Sequence, residues 1–157
     1  MKPIILSAFL ALTAVPAIAC ETVTAGDLTI DHAWSRATIG ASRPAVFYVE
    51  ITNAGAADDA LLGLATTAAG MPMLHQTQVT DGVASMPHAL SVPVPAGQTT
   101  ALAPGSYHGM LMRLTNPLKE GDSFPASLTF QNAGEVTINV EVLSMRAEGP
   151  TCSHAGQ

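Results

Sequence analysis

The stretch SLTFQNAGEVTINVEVL, residues 127–143, decides the fold. Two runs, Ser127 to Gln131 and Glu135 to Leu143, flank the turn-forming Asn132-Ala133-Gly134. In the second run Val136, Ile138, Val140 and Val142 alternate with Thr137, Asn139 and Glu141. A period of two puts the first set on a core face and the second in water, which is the signature of a half-buried strand. A closing β-hairpin is expected here.

The same punctuation extends upstream. Gly and Pro interrupt the chain about every eight to twelve residues, and the runs between are short and rich in Val, Ile, Thr and Leu, the pattern of an all-β sandwich or barrel. Strands are expected at Leu28 to Trp34 (with Leu28, Ile30, His32 and Trp34 on one face), Val46 to Thr52, Ala60 to Ala65, Met73 to Val79, Val83 to Met86, Leu90 to Val94, Thr99 to Leu102 and Tyr107 to Leu114. No stretch reads as a long amphipathic helix, and no linker or repeat divides the chain. One domain is expected over residues 20–146, followed by a tail at 147–157 that is loose unless Cys152 pins it.

Residues 1–19 read as a secretory signal: Lys2, an apolar run from Ile4 to Val15, then Ala17-Ile18-Ala19. The run is short for a bilayer span. Cys20 follows and admits two exclusive readings. It is either the lipid acceptor of an anchored protein or half of a disulfide with Cys152, the only other cysteine. Such a bridge would close most of the domain into a loop, for an entropic gain of roughly 4–5 kcal/mol at best. Without Lys2, five basic residues face twelve acidic ones, a charge near −7. That argues against nucleic acid or an anionic membrane as partner.

The chemistry concentrates between His75 and Met110. Asp81-Gly82 is a two-residue hairpin signal, because a type I′ turn needs positive φ at both central positions. Taken literally, it sets Thr80 against Val83, Val79 against Ala84, Thr77 against Met86 and His75 against His88. His75 and Met86 become diagonal neighbours on one face, about 7–8 Å apart. His108 and Met110, two apart in an extended segment, also share a face, with Met112 continuing the row. Gly109 between them suits a close approach by another group. Two imidazoles and two thioethers form a soft, neutral set that suits monovalent copper. Local geometry does not bring the two pairs together. The remaining methionines, Met71, Met73, Met112 and Met145, are expected as core filler. His32 and His154 are expected to be structural or solvated, and His88 is open between spare ligand and hairpin surface.

His75, ten residues, Met86, twenty-one residues, then His108-x-Met110 resembles the copper-binding signature of the periplasmic PCu(A)C-type copper chaperones. The similarity runs from Leu28 to Val142 and includes Asp31-His32-Ala33-Trp34-Ser35-Arg36, the Asn53-Ala54-Gly55 turn, Pro93 to Gly97 and Leu102 to His108. Where family members often carry an acidic residue two before the first histidine, this chain has Met73, which on the side of His75 would add sulfur to the site or simply cap it. The His- and Met-rich C-terminal extension of some members, linked there to a second copper, is reduced to Cys152 and His154. The resemblance implies a cupredoxin-like Greek-key β-barrel. It implies one Cu(I) per chain on His75, Met86, His108 and Met110. It further implies a periplasmic monomer that delivers copper for the copper A centre of cytochrome c oxidase, to subunit II or a thioredoxin-like assembly factor.

The donor types suit that task. Exported thiols oxidise, whereas methionine forms no disulfide and carries no proton to lose. Histidine ligates only when neutral, near or above a pKa of about 6.5, so such a site loosens on acidification. A storage or resistance role fits the same residues. A blue-copper electron carrier would need a Cys thiolate beside its histidines, and Cys152 lies far outside the stretch. No nucleophile–base pair, carboxylate pair or phosphate loop marks an enzyme.

Overall fold

The computed structural model describes residues 20–150; the expected signal segment, Cys152 and His154 lie outside them. Among the described residues the chain forms twelve strands and no helix: β1 (Val23–Ala25), β2 (Leu28–Arg36), β3 (Ala45–Asn53), β4 (Asp59–Thr66), β5 (Ala69–Gln76), β6 (Gln78–Thr80), β7 (Val83–Ser85), β8 (Val92–Val94), β9 (Thr99–Leu102), β10 (Tyr107–Leu114), β11 (Ser123–Phe130) and β12 (Gly134–Leu143).

The closing hairpin forms as expected. β11 and β12 pair from Phe130↔Gly134 to Ser123↔Glu141, with Gly134 at φ +79 turning the chain. Val136, Ile138, Val140 and Val142 are all buried. β11 begins earlier than expected and adds Phe124 and Ala126 to the same face. β12 then lies parallel to β2, through Glu141↔Trp34 to Leu143↔Arg36. No hairpin can supply a parallel contact; it joins the last strand to one of the first and nearly closes the sheet into a barrel. The order is β5-β10-β9-β3-β2-β12-β11-β4-β8, with β1 on β2 and a direct β10–β3 pairing, while β6 and β7 form a separate two-stranded ribbon. The interior holds Phe47, Ile51, Leu61, Leu111, Leu128 and Val140, each fully buried.

β2 departs from simple alternation. Leu28 and Ile30 face the core, but the register with β3 shifts between Asp31 and Trp34, and His32 adopts φ 50. This bulge inserts a residue and exchanges the faces. Ala33 therefore enters the core instead of His32 and Trp34. Trp34 is buried on the other side, 4.6 Å from the Tyr48 ring, with the Arg36 guanidinium 5.7 Å from the Trp34 centroid. Burial pushes the Tyr48 phenol above its ordinary 10.0, against the opposing pull of Arg36.

The loop ends are tied by satisfied polar groups. Asn53 is buried, and its amide donates to the carbonyls of Ala57 (2.9 Å) and Val94 (3.1 Å) while its side-chain oxygen accepts from Gly55 N (2.9 Å). The segment after β12 is also held: Arg36 Nε donates to the Ala147 carbonyl at 2.8 Å, so the tail expected to be loose is anchored at its start. Cys20 is disulfide-bonded, which takes the second of its two readings. Cys152, its only candidate partner in the sequence, lies outside the described residues.

Candidate metal centre

The Asp81-Gly82 turn sets the register of one half of the site. Both residues have positive φ, 51 and 78, as a type I′ turn requires. The ribbon pairs Thr80↔Val83, Val79↔Ala84 and Gln78↔Ser85, and the same register continues to a bridge at His75↔His88. Pro87 does not break it, because this position needs only an acceptor: Gln76 N donates to the Pro87 carbonyl at 3.1 Å. Ala89 N donates to the Leu74 carbonyl at 2.8 Å. His75 and His88 thus form the pair between two hydrogen-bonded pairs, where side chains stand closest. Their ring centroids are 6.1 Å apart.

β10 supplies the other half. It pairs antiparallel with β5 as His108↔His75, Met110↔Met73 and Met112↔Met71. His75 and the His108–Met110 pair, which local geometry could not connect, are therefore joined by one strand pairing. The His75 and His108 rings lie 5.9 Å apart, so His108, His75 and His88 form one row across three neighbouring backbone segments. The intervening Gly109, Leu74 and Leu111 face inward and are buried. A Cβ on Gly109 would sit 2.7 Å from Leu64 Cδ2 and 2.8 Å from Phe47 Cδ1, so glycine is what lets β10 lie against the core there.

The histidines are prepared differently. His108 is 4% exposed, and its Nδ1 lies 3.2 Å from the Ser106 carbonyl. A carbonyl only accepts, so Nδ1 carries the proton in this bond and Nε2 keeps its lone pair, the usual arrangement behind a ligating imidazole. In His75 both ring nitrogens are buried, and neither has a hydrogen-bond partner among the described residues. Leaving such atoms unpaired costs about 1–3 kcal/mol. Asn53 shows that this chain satisfies its buried polar groups elsewhere. One of the two nitrogens of a neutral imidazole keeps a lone pair, and the imidazole and thioether donors on the same face fit a soft cation.

Of the four expected ligands, His75, His108 and Met110 share one face of adjacent strands. Met86 follows β7, between the Gln78↔Ser85 pair and the His75↔His88 bridge, a register that extended sets it across from Thr77 and diagonal to His75; the residue is 51% exposed. Met71, Met73 and Met112 correct the expectation of core filler. All three are half-buried on the outward face of β5 and β10, and none belongs to the buried core. Strand alternation puts each on the face of a histidine of the pair, two or four residues away, but does not say which way that face points. Met145 is likewise exposed rather than core. His32 belongs to a different cluster, 2.9 Å from an Asp31 carboxylate oxygen and 3.7 Å from Glu50, a sulfur-free set on β2 and β3.

A family model described as "Putative lipoprotein LpqE-like" matches residues 28–142. The "Putative lipoprotein Lxx21020" of Leifsonia xyli subsp. xyli is 33% identical over 119 residues, which cover 75% of this chain and 70% of that protein. The apo PCuAC domain from PmoF1 superposes with a TM-score of 0.68 at 27% identity, covering 79% of this chain and 99% of that domain. The solution structure of Cu(I)-loaded DR1885 from Deinococcus radiodurans gives 0.60 at 30% identity, covering 75% of this chain and 78% of that one. The copper-bound PCuAC domain from PmoF2, at 23% identity and a TM-score of 0.68, shares the fold. The barrel is thus cupredoxin-like, and the chain belongs to the LpqE-like, PCuAC-type family.

Proposed function

We propose that this protein is an exported metallochaperone that carries one Cu(I) on His75, Met86, His108 and Met110. The observation that carries the proposal is His75: two buried, unpartnered ring nitrogens beside a histidine whose Nδ1 is already engaged by Ser106. The Cu(I)-loaded relative at 30% identity supports the choice of metal. Neutral ligands leave the single positive charge on the ion, which favours the reduced state. Met86, on the exposed arm after β7, is the ligand that a recipient's donors displace first. Exchange then proceeds ligand by ligand, without release of the free ion.

The recipient in this proposal is the copper A centre of cytochrome c oxidase, reached through subunit II directly or through a thioredoxin-like assembly factor, and the carrier works as a monomer in the periplasm. The lipoprotein names of the family and of its relative support export. Titration of the apo-protein with Cu(I) against a competing chelator tests the site. The Met86→Ala, Met110→Ala double variant is expected to lose affinity by a factor of at least about a hundred, roughly 1.4 kcal/mol for each tenfold. Unchanged affinity would sink the ligand assignment. Deletion of the protein with oxidase activity as readout tests the recipient.

A further inference from the structure

The outward face of β5 and β10 does not end at the histidines. The register continues as Met110↔Met73 and then Met112↔Met71, so an imidazole pair is followed by two thioether pairs in line. Four of the chain's seven methionines occupy this patch. Core filling does not explain them, because the inward side of this strand pair is held by Leu74 and Leu111, 3% and 0% exposed, with the half-buried Pro72 between Met71 and Met73. Directly opposed side chains on a strand pair start about 5 Å apart, and diagonal ones about 7–8 Å apart. Methionine is unbranched and has three rotatable bonds, so all four sulfurs can converge on one point above the sheet.

We infer that Met71, Met73, Met110 and Met112 form a second site for a soft monovalent cation, Cu(I) or Ag(I), adjoining the histidine centre and sharing Met110 with it. The inference rests on the Cu(I) reading of that centre. Thioethers are neutral and soft, so the quartet discriminates against magnesium and divalent copper, which take nitrogen and oxygen donors, and against zinc, whose sulfur ligands are charged thiolates. None of its ligands carries a proton. The shared Met110 gives an ion bound at the quartet a ligand-by-ligand route to His75 and His108.

Anaerobic titration with Cu(I) against a competing chelator, at one protein concentration, tests the quartet. The wild-type chain is expected to take a second equivalent after the first. The Met71→Leu, Met112→Leu variant is expected to stop at the first, with affinity for it within about threefold of wild type, less than 1 kcal/mol. These substitutions keep side-chain volume on a half-exposed face, and a thermal melt confirms that the variant folds. X-ray absorption should show the ratio of sulfur to nitrogen ligands rising between the first and second equivalents. A wild-type chain that stops at one equivalent, or a double variant that still takes two, overturns the quartet and leaves the histidine centre standing. A wild-type chain that takes no Cu(I) overturns both.

Discussion

At the scale of single residues, the site depends on one absent side chain as much as on those present. Gly109 lies between His108 and Met110 and is pressed against Phe47, whose Cβ would be 2.9 Å from any new methyl. Phe47 is fully buried and cannot swing aside. Gly109→Ala is therefore expected to destabilise the fold by about 1–3 kcal/mol, the usual cost of overpacking. Chemical denaturation measures it. Because relief requires β10 to move outward, Cu(I) affinity should fall in the same variant, and a stable variant with weakened metal binding would still fit, whereas no change in either would not. His75 carries the complementary lesson. Its unpaired nitrogens become a candidate donor position only through its place beside His108, which neither residue reveals alone.

At the scale of elements, the β6–β7 ribbon is a short exposed arm that is not part of the main sheet. Its register is set by Asp81 and Gly82, and everything it positions, including Met86, inherits that register. Gly82 sits at φ +78 with nothing within 4 Å, so a larger residue meets backbone strain but no clash. Gly82→Val is expected to cost about 1–3 kcal/mol at the turn. The ribbon buries no core, so the melting temperature should change little while Cu(I) affinity falls up to about tenfold, a difference of about 1.4 kcal/mol. An unaltered affinity would mean that Met86 does not depend on the turn for its placement.

At the scale of the molecule, the barrel is held by β12 lying parallel to β2 and by a half-cystine at Cys20 ahead of β1. Ile138 is 1% exposed at the centre of β12, and Ile138→Ala is expected to cost about 2–5 kcal/mol, read from urea unfolding. Reduction of the disulfide should lower the melting temperature, with about 2–5 kcal/mol lost, since a cross-link restricts the unfolded chain. The same sulfur cannot also carry a lipid thioether. Mass spectrometry of the mature protein should therefore find an oxidised, unlipidated Cys20, in contrast to the lipoprotein name of the family. A diacylglyceryl adduct there would overturn this expectation.

What was legible in the sequence was whatever depends on near neighbours. The alternation of Val136 to Val142 gave the closing hairpin, and β9 and β10 fall where their patterns place them. Asp81-Gly82 fixed His75 opposite His88 because a two-residue turn leaves one register open. The face of Trp34 was not legible, because a single inserted residue at the bulge reverses the alternation and no composition signal marks it. Met71, Met73 and Met112 look like core filler in the sequence, since a thioether has the same hydrophobicity on either face. Only the pairing of β5 with β10 decided which way they point. That pairing joins segments more than thirty residues apart, His75 to His108, through contacts set by the whole barrel. The sequence by itself determined the types of the candidate donors and their two local pairings. The tertiary structure alone decided that His75 lies beside His108 with Met110 on the same face, because antiparallel register between distant strands is fixed by the shared core.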